Sequence, residues 1–253
     1  MGGSGFLDYF SGHAALYASA RPSYPEELFQ FLVGQCQQTD LAIDCASGNG
    51  QATASLLGYF DQVVMTDASA EQLCQFESTT QNADRLVRAV ALAECLPVAT
   101  ASADLLIVAQ ALHWFDFDRF CTELDRVLKP GAVLAVWSYG IHTIAPEIDE
   151  VIGFLYDDTL GQYWTPERRL VEEGYRSYVF PFREIPAPDF KLSKCWSIEQ
   201  VLAYLNSWSA VQRYQREKGH NPLEFIAEQL SKVWGNQAQR EIVWPLTLKV
   251  RRK

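Results

Sequence analysis

Asp44 and Cys45 lead into a run of very small residues, Ala46, Ser47, Gly48, Asn49 and Gly50. A turn with so little side-chain bulk lets a ligand approach the backbone closely. Leu41, Ala42 and Ile43 before it are continuously apolar, as in a strand covered on both faces. A helical pattern begins at Gln51, and the first amides of such a helix point back into the turn. Strand, small-residue turn and helix together suit a nucleotide-like ligand. Asp67 closes a second apolar run, Gln62 to Asp67, about 20 residues past the turn, where a carboxylate can hold both hydroxyls of a ribose. The competing duty, capping the helix that starts at Ala70, falls better to Ser69. His113 is the general-base candidate; the alternative is a histidine that packs on Trp114 and orients a helix start. Near the N-terminus Tyr17, Arg21 and Tyr24 form an aromatic and cationic group. It reads either as a loop of packed tyrosines or as a flap whose Arg21 reaches a carboxylate.

The elements that must position these residues alternate regularly. A helix begins near Pro25 with Glu26 and Glu27 in its first turn, where the helix dipole favours anions. Leu28, Phe31 and Leu32 recur at helical spacing and are expected to face the core. Strands follow at Leu41–Ile43, Gln62–Asp67, Arg85–Leu92, Ala103–Ala109 and Ala132–Trp137. A helix over Ala70–Phe76 separates the second from the third, and one over Trp114–Leu128 separates the fourth from the fifth. This alternation predicts a parallel sheet with helices on both faces and ligands at the strands' C-terminal ends.

From Gly140 the pattern changes. Ile144–Leu160 and Pro166–Tyr178 read as helices about a turn at residues 161–164, on faces rich in Tyr, Phe and Trp. Residues 181–190 hold three prolines and read as an extended connector. Lys191–Trp196 resembles a strand. Ser197 caps a further helix, with Glu199 and Gln200 in its first turn. A polar stretch to Gly219, a helix over Pro222–Trp234 and a long β-type segment over Arg240–Arg252 complete the chain. Trp114, Tyr139, Tyr163, Trp164 and Trp208 are candidates for a substrate-pocket wall, or plain core.

At 253 residues the chain is long enough for one larger α/β domain. Its net charge of −10 argues against a broad nucleic-acid surface. No apolar run reaches about 18 residues, so no membrane span is expected. The first residues fit neither a secretory signal nor a myristoylation pattern. The six cysteines are scattered without a CxxC pair. Reduced thiols, no metal site and a cytoplasmic setting are the expectation.

Taken together the residues resemble a class I S-adenosylmethionine-dependent methyltransferase. Asp44 to Gly50, DCASGNG, is similar to the family's D-x-G-x-G-x-G, with Ala46 in place of the first glycine. Val63–Asp67 resembles its ribose-binding strand end, Ala93–Pro97 its A-E-x-L-P loop beside the adenine, and Leu128–Gly131 its L-K-P-G turn. Leu92 stands where many relatives carry an Asp toward the adenine. Tyr17–Pro25 and Ala109–Asp116 further resemble the type-11 members similar to trans-aconitate methyltransferase.

The resemblance implies a Rossmann-like seven-stranded sheet, order 3-2-1-4-5-7-6, with the last strand antiparallel and a helical insertion after strand five. Lys191–Trp196 and Arg240–Arg252 would be strands six and seven. It divides one methyltransferase domain, 1–253, into an N-terminal flap and helix (1–38), a cofactor core (39–139), a helical insertion serving as substrate lid (140–190) and a C-terminal part (191–253). It implies S-adenosylmethionine as cofactor. Asp44 and Ala46, Ser47, Gly48 and Gly50 would hold the methionyl portion, with Tyr17 and Arg21 nearby and Arg21 on the carboxylate. Asp67 would take the ribose, Ala68, Ala93 and Glu94 would flank the adenine, and Gln110 would line the floor. The acceptor is expected to be a small molecule, a carboxylate or other oxygen nucleophile. Rival readings are a larger lipid-like acid as acceptor, a non-catalytic S-adenosylmethionine-binding sensor or partner subunit, and an NAD-linked oxidoreductase. The A-E-x-L-P loop and the L-K-P-G turn speak against the last.

Overall fold

The computed structural model describes residues 23–76 and 83–253. Tyr17 and Arg21 of the expected flap lie outside the described residues, whereas Tyr24 is described and its ring lies 5.2 Å from that of Trp137. The N-terminal helix α1 runs Glu26–Gln35 and buries Leu28, Phe29 and Leu32. Phe29 therefore takes the core position expected of Phe31, which is half-buried and meets Phe190 instead, ring centroids 5.8 Å apart.

Strands β1 (Leu41–Cys45), β2 (Gln62–Asp67), β3 (Leu86–Val90), β4 (Ala103–Ala109) and β5 (Leu128–Tyr139) are mutually parallel. Helices α2 (Gln51–Leu56), α3 (Ala70–Cys74) and α4 (Phe117–Val127) cross between them. Beyond β5 come α5 (Pro146–Gly153), α6 (Arg168–Glu172), β6 (Arg183–Ile185), β7 (Lys191–Trp196), α7 (Ile198–Asn206), α8 (Ser209–Lys218), α9 (Ala227–Trp234) and β8 (Arg240–Arg252). The sheet order is β3-β2-β1-β4-β5-β8-β6, with β8 antiparallel to β5. One apolar cluster joins α1 and α2 to one face of the central strands, and a second joins α4 to the other.

The sheet carries one strand more than expected. Three residues of the proline-containing connector, Arg183–Ile185, pair with Val250–Arg252 of β8. Lys191–Trp196, the expected sixth strand, pairs with the other half of β8, Arg240–Pro245. One 13-residue strand is long enough to serve both. Pro181, Pro186 and Pro188 lack the N–H that a longer ladder would need, which keeps β6 short. The expected helix over Pro166–Tyr178 is regular only over Arg168–Glu172, and the polar stretch before Gly219 is helical over Ser209–Lys218. Helices α5 and α7 to α9 pack with β7 and the first half of β8 around a third cluster rich in Trp and Tyr. The Ser197 cap is a full capping box with Gln200.

Candidate active site

Strand β1 delivers Asp44 to the sheet's C-terminal edge, where its side chain is wholly buried. Oδ2 accepts a 2.6 Å hydrogen bond from Thr53 Oγ1 in α2. Oδ1 has no partner among the described residues. Burial pushes the carboxyl up to about 7, against the Thr53 hydrogen bond, which lowers it; the charge of Asp67 adds to the rise. An unpartnered buried carboxylate oxygen costs free energy unless a donor or cation reaches it.

The turn after Asp44 is left-handed at three points: Ala46 (φ 55°), Gly48 (φ 55°) and Gly50 (φ 80°). Ala46 thus holds a backbone conformation that glycine adopts without cost. A Cβ on Gly50 would collide with the Phe76 ring, so that position needs glycine on two counts. Ser47 donates its N–H to Thr66 O (2.8 Å), tying the turn to β2. Ser47 Oγ and Gln72 Oε1, both buried, have no partner among the described residues. Asp67 faces the same turn: Oδ2 accepts from Gly48 N at 2.9 Å and Oδ1 from Ser69 N at 2.8 Å. Ser69 also caps α3 by accepting from Gln72 N. Asp67 is therefore engaged with the turn, a role its spacing alone does not show.

The A-E-x-L-P loop lies beyond β3. Ala93 is buried in the core, and Glu94 Oε1 accepts from Asp116 N at 2.8 Å, joining the loop to the start of α4. Ala68 is half-buried next to Asp67, and Leu92 is 53% exposed.

A second hollow opens at the ends of β4 and β5. Gln110 there is left-handed (φ 59°), donates its N–H to Trp137 O (2.9 Å) and its Nε2 to Tyr139 O (3.2 Å). With His113, Trp114, Tyr139, Trp164 and Trp208 it lines a cleft. Strand β4 pairs directly with β1, Asp44 opposite Ile107, so the cleft and the turn share the sheet's C-terminal edge. His113 Nδ1 lies 2.9 Å from Tyr175 Oη, and its ring lies 4.7 Å from that of Trp114. Burial raises the Tyr175 hydroxyl well above its ordinary value, so it stays protonated.

Of the aromatic candidates, Tyr163 does not line the cleft. It is 6% exposed, packs 5.0 Å from Tyr214 and donates to Glu217. Thr53, Gln72, Arg168, Arg213 and Arg216 belong near these two sites and escape a reading of the sequence. The first two are polar residues inside helices, where an apolar pattern gives no cue. The arginines read as ordinary solvated helix charges, although Arg213 and Arg216 share a helix face at i, i+3.

A parallel sheet with an antiparallel β8 beside β5, a buried acid leading a small-residue turn and an acid at the next strand end define a class I S-adenosylmethionine-dependent methyltransferase. The chain belongs to the type-11 methyltransferase family, whose methyltransferase domain matches residues 43–136. A solved structure from Anaeromyxobacter dehalogenans, assigned as a type II methyltransferase, is 40% identical. It covers 92% of this chain and 97% of its own, with a TM-score of 0.83. A Dictyostelium discoideum protein named as a methyltransferase is 33% identical over 233 residues, 90% of this chain and 87% of the relative. An uncharacterized methyltransferase-like protein of Schizosaccharomyces pombe is 27% identical, covering 90% and 89% respectively.

The residues at the turn fit a cationic nucleoside cofactor. Asp44 Oδ1, Ser47 Oγ and Gln72 Oε1 are buried oxygens still able to accept hydrogen bonds. Gly48 would carry a Cβ with no atom nearer than Gln72 Oε1 at 3.8 Å, so its surface stays open.

Proposed function

We propose that the protein transfers the methyl group of S-adenosylmethionine to a small-molecule oxygen nucleophile, foremost a carboxylate, held in the cleft beside the turn. The observation that carries this reading is the adjacency of two sites on one sheet edge: the turn at the end of β1 and the aromatic cleft at the ends of β4 and β5. When bound, the cofactor supplies a methyl group on a positive sulfur, open to attack without a covalent enzyme intermediate. Asp44 and the Ala46–Gly50 turn would hold its methionyl part, with Tyr17 and Arg21 toward its carboxylate. Asp67 would hold the ribose, exchanging its bond to Gly48 for the hydroxyls. Ala68, Ala93 and Glu94 would border the adenine.

Gln110 fixes the floor between the two sites through its bonds to β5. Trp114, Trp164 and Trp208 exclude water and hold the acceptor's body, and alignment of this kind supplies much of the rate. An ionised carboxylate needs no proton removed, which leaves His113 a positioning residue held by Tyr175. The resemblance of Tyr17–Pro25 and Ala109–Asp116 to trans-aconitate methyltransferases supports an acidic acceptor. Residues 140–190 serve as the substrate lid in this reading. A cytoplasmic setting goes with it, supported by cysteines that are free thiols among the described residues. No helix among the described residues is long and apolar enough to cross a membrane.

The test is a thermal-shift titration with S-adenosylhomocysteine and NAD, followed by a labelled methyl-transfer screen over small organic acids. Stabilisation by S-adenosylhomocysteine alone and labelled, alkali-labile product are expected. Stabilisation by neither compound would overturn the cofactor assignment.

A further inference from the structure

Three guanidinium groups line the cleft: Arg168, Arg213 and Arg216. No Asp or Glu lines it among the described residues, although the chain carries 31 acids against 21 lysines and arginines. Arg168 comes from α6, whereas Arg213 and Arg216 sit one turn apart on α8. Basic residues from two separate segments thus give an acid-free lining a positive character, which favours an anionic occupant. The first of them is also held in place. Arg168 stacks on Trp164 (5.1 Å) and Tyr156 (5.7 Å), and its Nε donates to Tyr156 Oη at 2.9 Å. Glu172 Oε1 lies 3.6 Å from the same Nε, an ion pair one turn along the chain. Arg213 Nη1 donates to Tyr163 O at 3.3 Å and Arg216 Nε to Gln212 O at 3.3 Å. A fixed, forked donor set beside tryptophan faces is suited to a planar carboxylate or a phosphate on an apolar body.

We infer that the acceptor is an organic anion whose carboxylate or phosphate group is bound by Arg168, Arg213 and Arg216, and that these residues set acceptor specificity. This rests on the cleft being the acceptor site of the proposed methyltransferase. The anionic group bound there anchors the molecule, whether or not it is also the atom that receives the methyl group.

Full-length protein is titrated with sodium citrate, sodium phosphate and uncharged triethyl citrate at constant ionic strength, following tryptophan fluorescence and thermal unfolding. A saturable response in the millimolar range to citrate or phosphate, and none to triethyl citrate, is expected. The stronger response tells carboxylate from phosphate recognition. Arg213→Gln with Arg216→Gln weakens that response at least fivefold, and Arg216→Gln alone serves if the double variant does not fold. Binding of S-adenosylhomocysteine is measured in the same samples and stays within twofold. The absence of a saturable response to either anion, or an equal response in the variants, overturns the inference while leaving the cofactor reading standing. Failure of the wild type to bind S-adenosylhomocysteine would strike that reading instead.

Discussion

Asp67 Oδ2 accepts the backbone N–H of Gly48 at 2.9 Å, so the acid that ends β2 holds the turn that follows β1. Its other oxygen accepts from Ser69 N, so one carboxylate fixes two loops. The residue assigned to the ribose is therefore also part of the frame of the site.

Asp67→Ala should accordingly have two effects. Loss of two hydrogen bonds to a carboxylate lowers stability by about 1.5–3 kcal/mol for each bond, seen as a reduced urea midpoint without cofactor. Affinity for S-adenosylhomocysteine, measured by calorimetry, falls more than tenfold. Unchanged affinity would remove Asp67 from the cofactor site; unchanged stability would remove it from the frame.

Ala46→Gly tests the cost of the left-handed turn. An L-residue in this conformation costs about 1–2 kcal/mol, and the added freedom of glycine in the unfolded chain returns about 0.4–1 kcal/mol of that. The variant should therefore be more stable by up to about 1.6 kcal/mol, with cofactor affinity within threefold. Clear destabilisation would mean that the Ala46 methyl group packs usefully against the neighbouring core.

Much of this site is legible before any coordinates, because its chemistry is local. Leu41 to Gly50 announces strand, turn and helix through burial and small residues in one continuous stretch, and Asp67 stands at the end of an apolar run. Register is not local. The three residues of β6 form a strand because β8 offers them a partner, and nothing within PFREIPAPDF says so. Helix α8 hides for a related reason. Its core contacts are only Ala210, Val211 and Tyr214, among residues that otherwise read as a polar loop. The arginines of the cleft sit on these less legible parts, so this side of the site emerges only where α6 and α8 come to line one cleft.

Asp44 and His142 give opposing responses to pH. The Asp44 carboxyl sits near 7 in the fold, against about 3.9 in an unfolded chain. Between those values the folded protein binds more protons, so stability falls as pH rises. His142, 3% exposed among Tyr204, Trp208 and Trp244, is pushed down to about 4 by burial. Against about 6.5 when unfolded, it makes stability rise between about pH 4 and 6.5. Asp44→Asn removes the falling limb. At pH 8 the cofactor-free variant should exceed the wild type by about 1–4 kcal/mol, with the difference gone near pH 4, while S-adenosylhomocysteine affinity drops at least tenfold. Urea midpoints across pH 4–8 read the first effect. A variant weaker than the wild type at pH 8 would show that the ionised Asp44 is fully compensated in the fold.

His113 and Tyr175 decide whether the reaction uses a base. His113 Nδ1 meets Tyr175 Oη at 2.9 Å. Tyr175 is fully buried and held in a left-handed backbone (φ 55°) directly after Gly174 (φ 60°). That placement orients the imidazole ring. For His113 to act as a base, Nδ1 must donate to Tyr175 so that Nε2 can accept a proton. An ionised carboxylate acceptor makes this unnecessary, and only the ring's positioning effect then remains. His113→Asn should therefore lower kcat/KM by less than about tenfold, and Tyr175→Phe by less still, with the shape of the pH profile unchanged in both. A neutral hydroxyl acceptor would depend on proton removal, and its loss would be about 10²–10⁴-fold. The acid limb of the kcat/KM profile would disappear in His113→Asn and shift in Tyr175→Phe, because the tyrosine sets which ring nitrogen carries the proton. Profiles of both variants against one identified acceptor separate the two chemistries, since a carboxylate and a hydroxyl cannot both be methylated at neutral pH with the same indifference to His113.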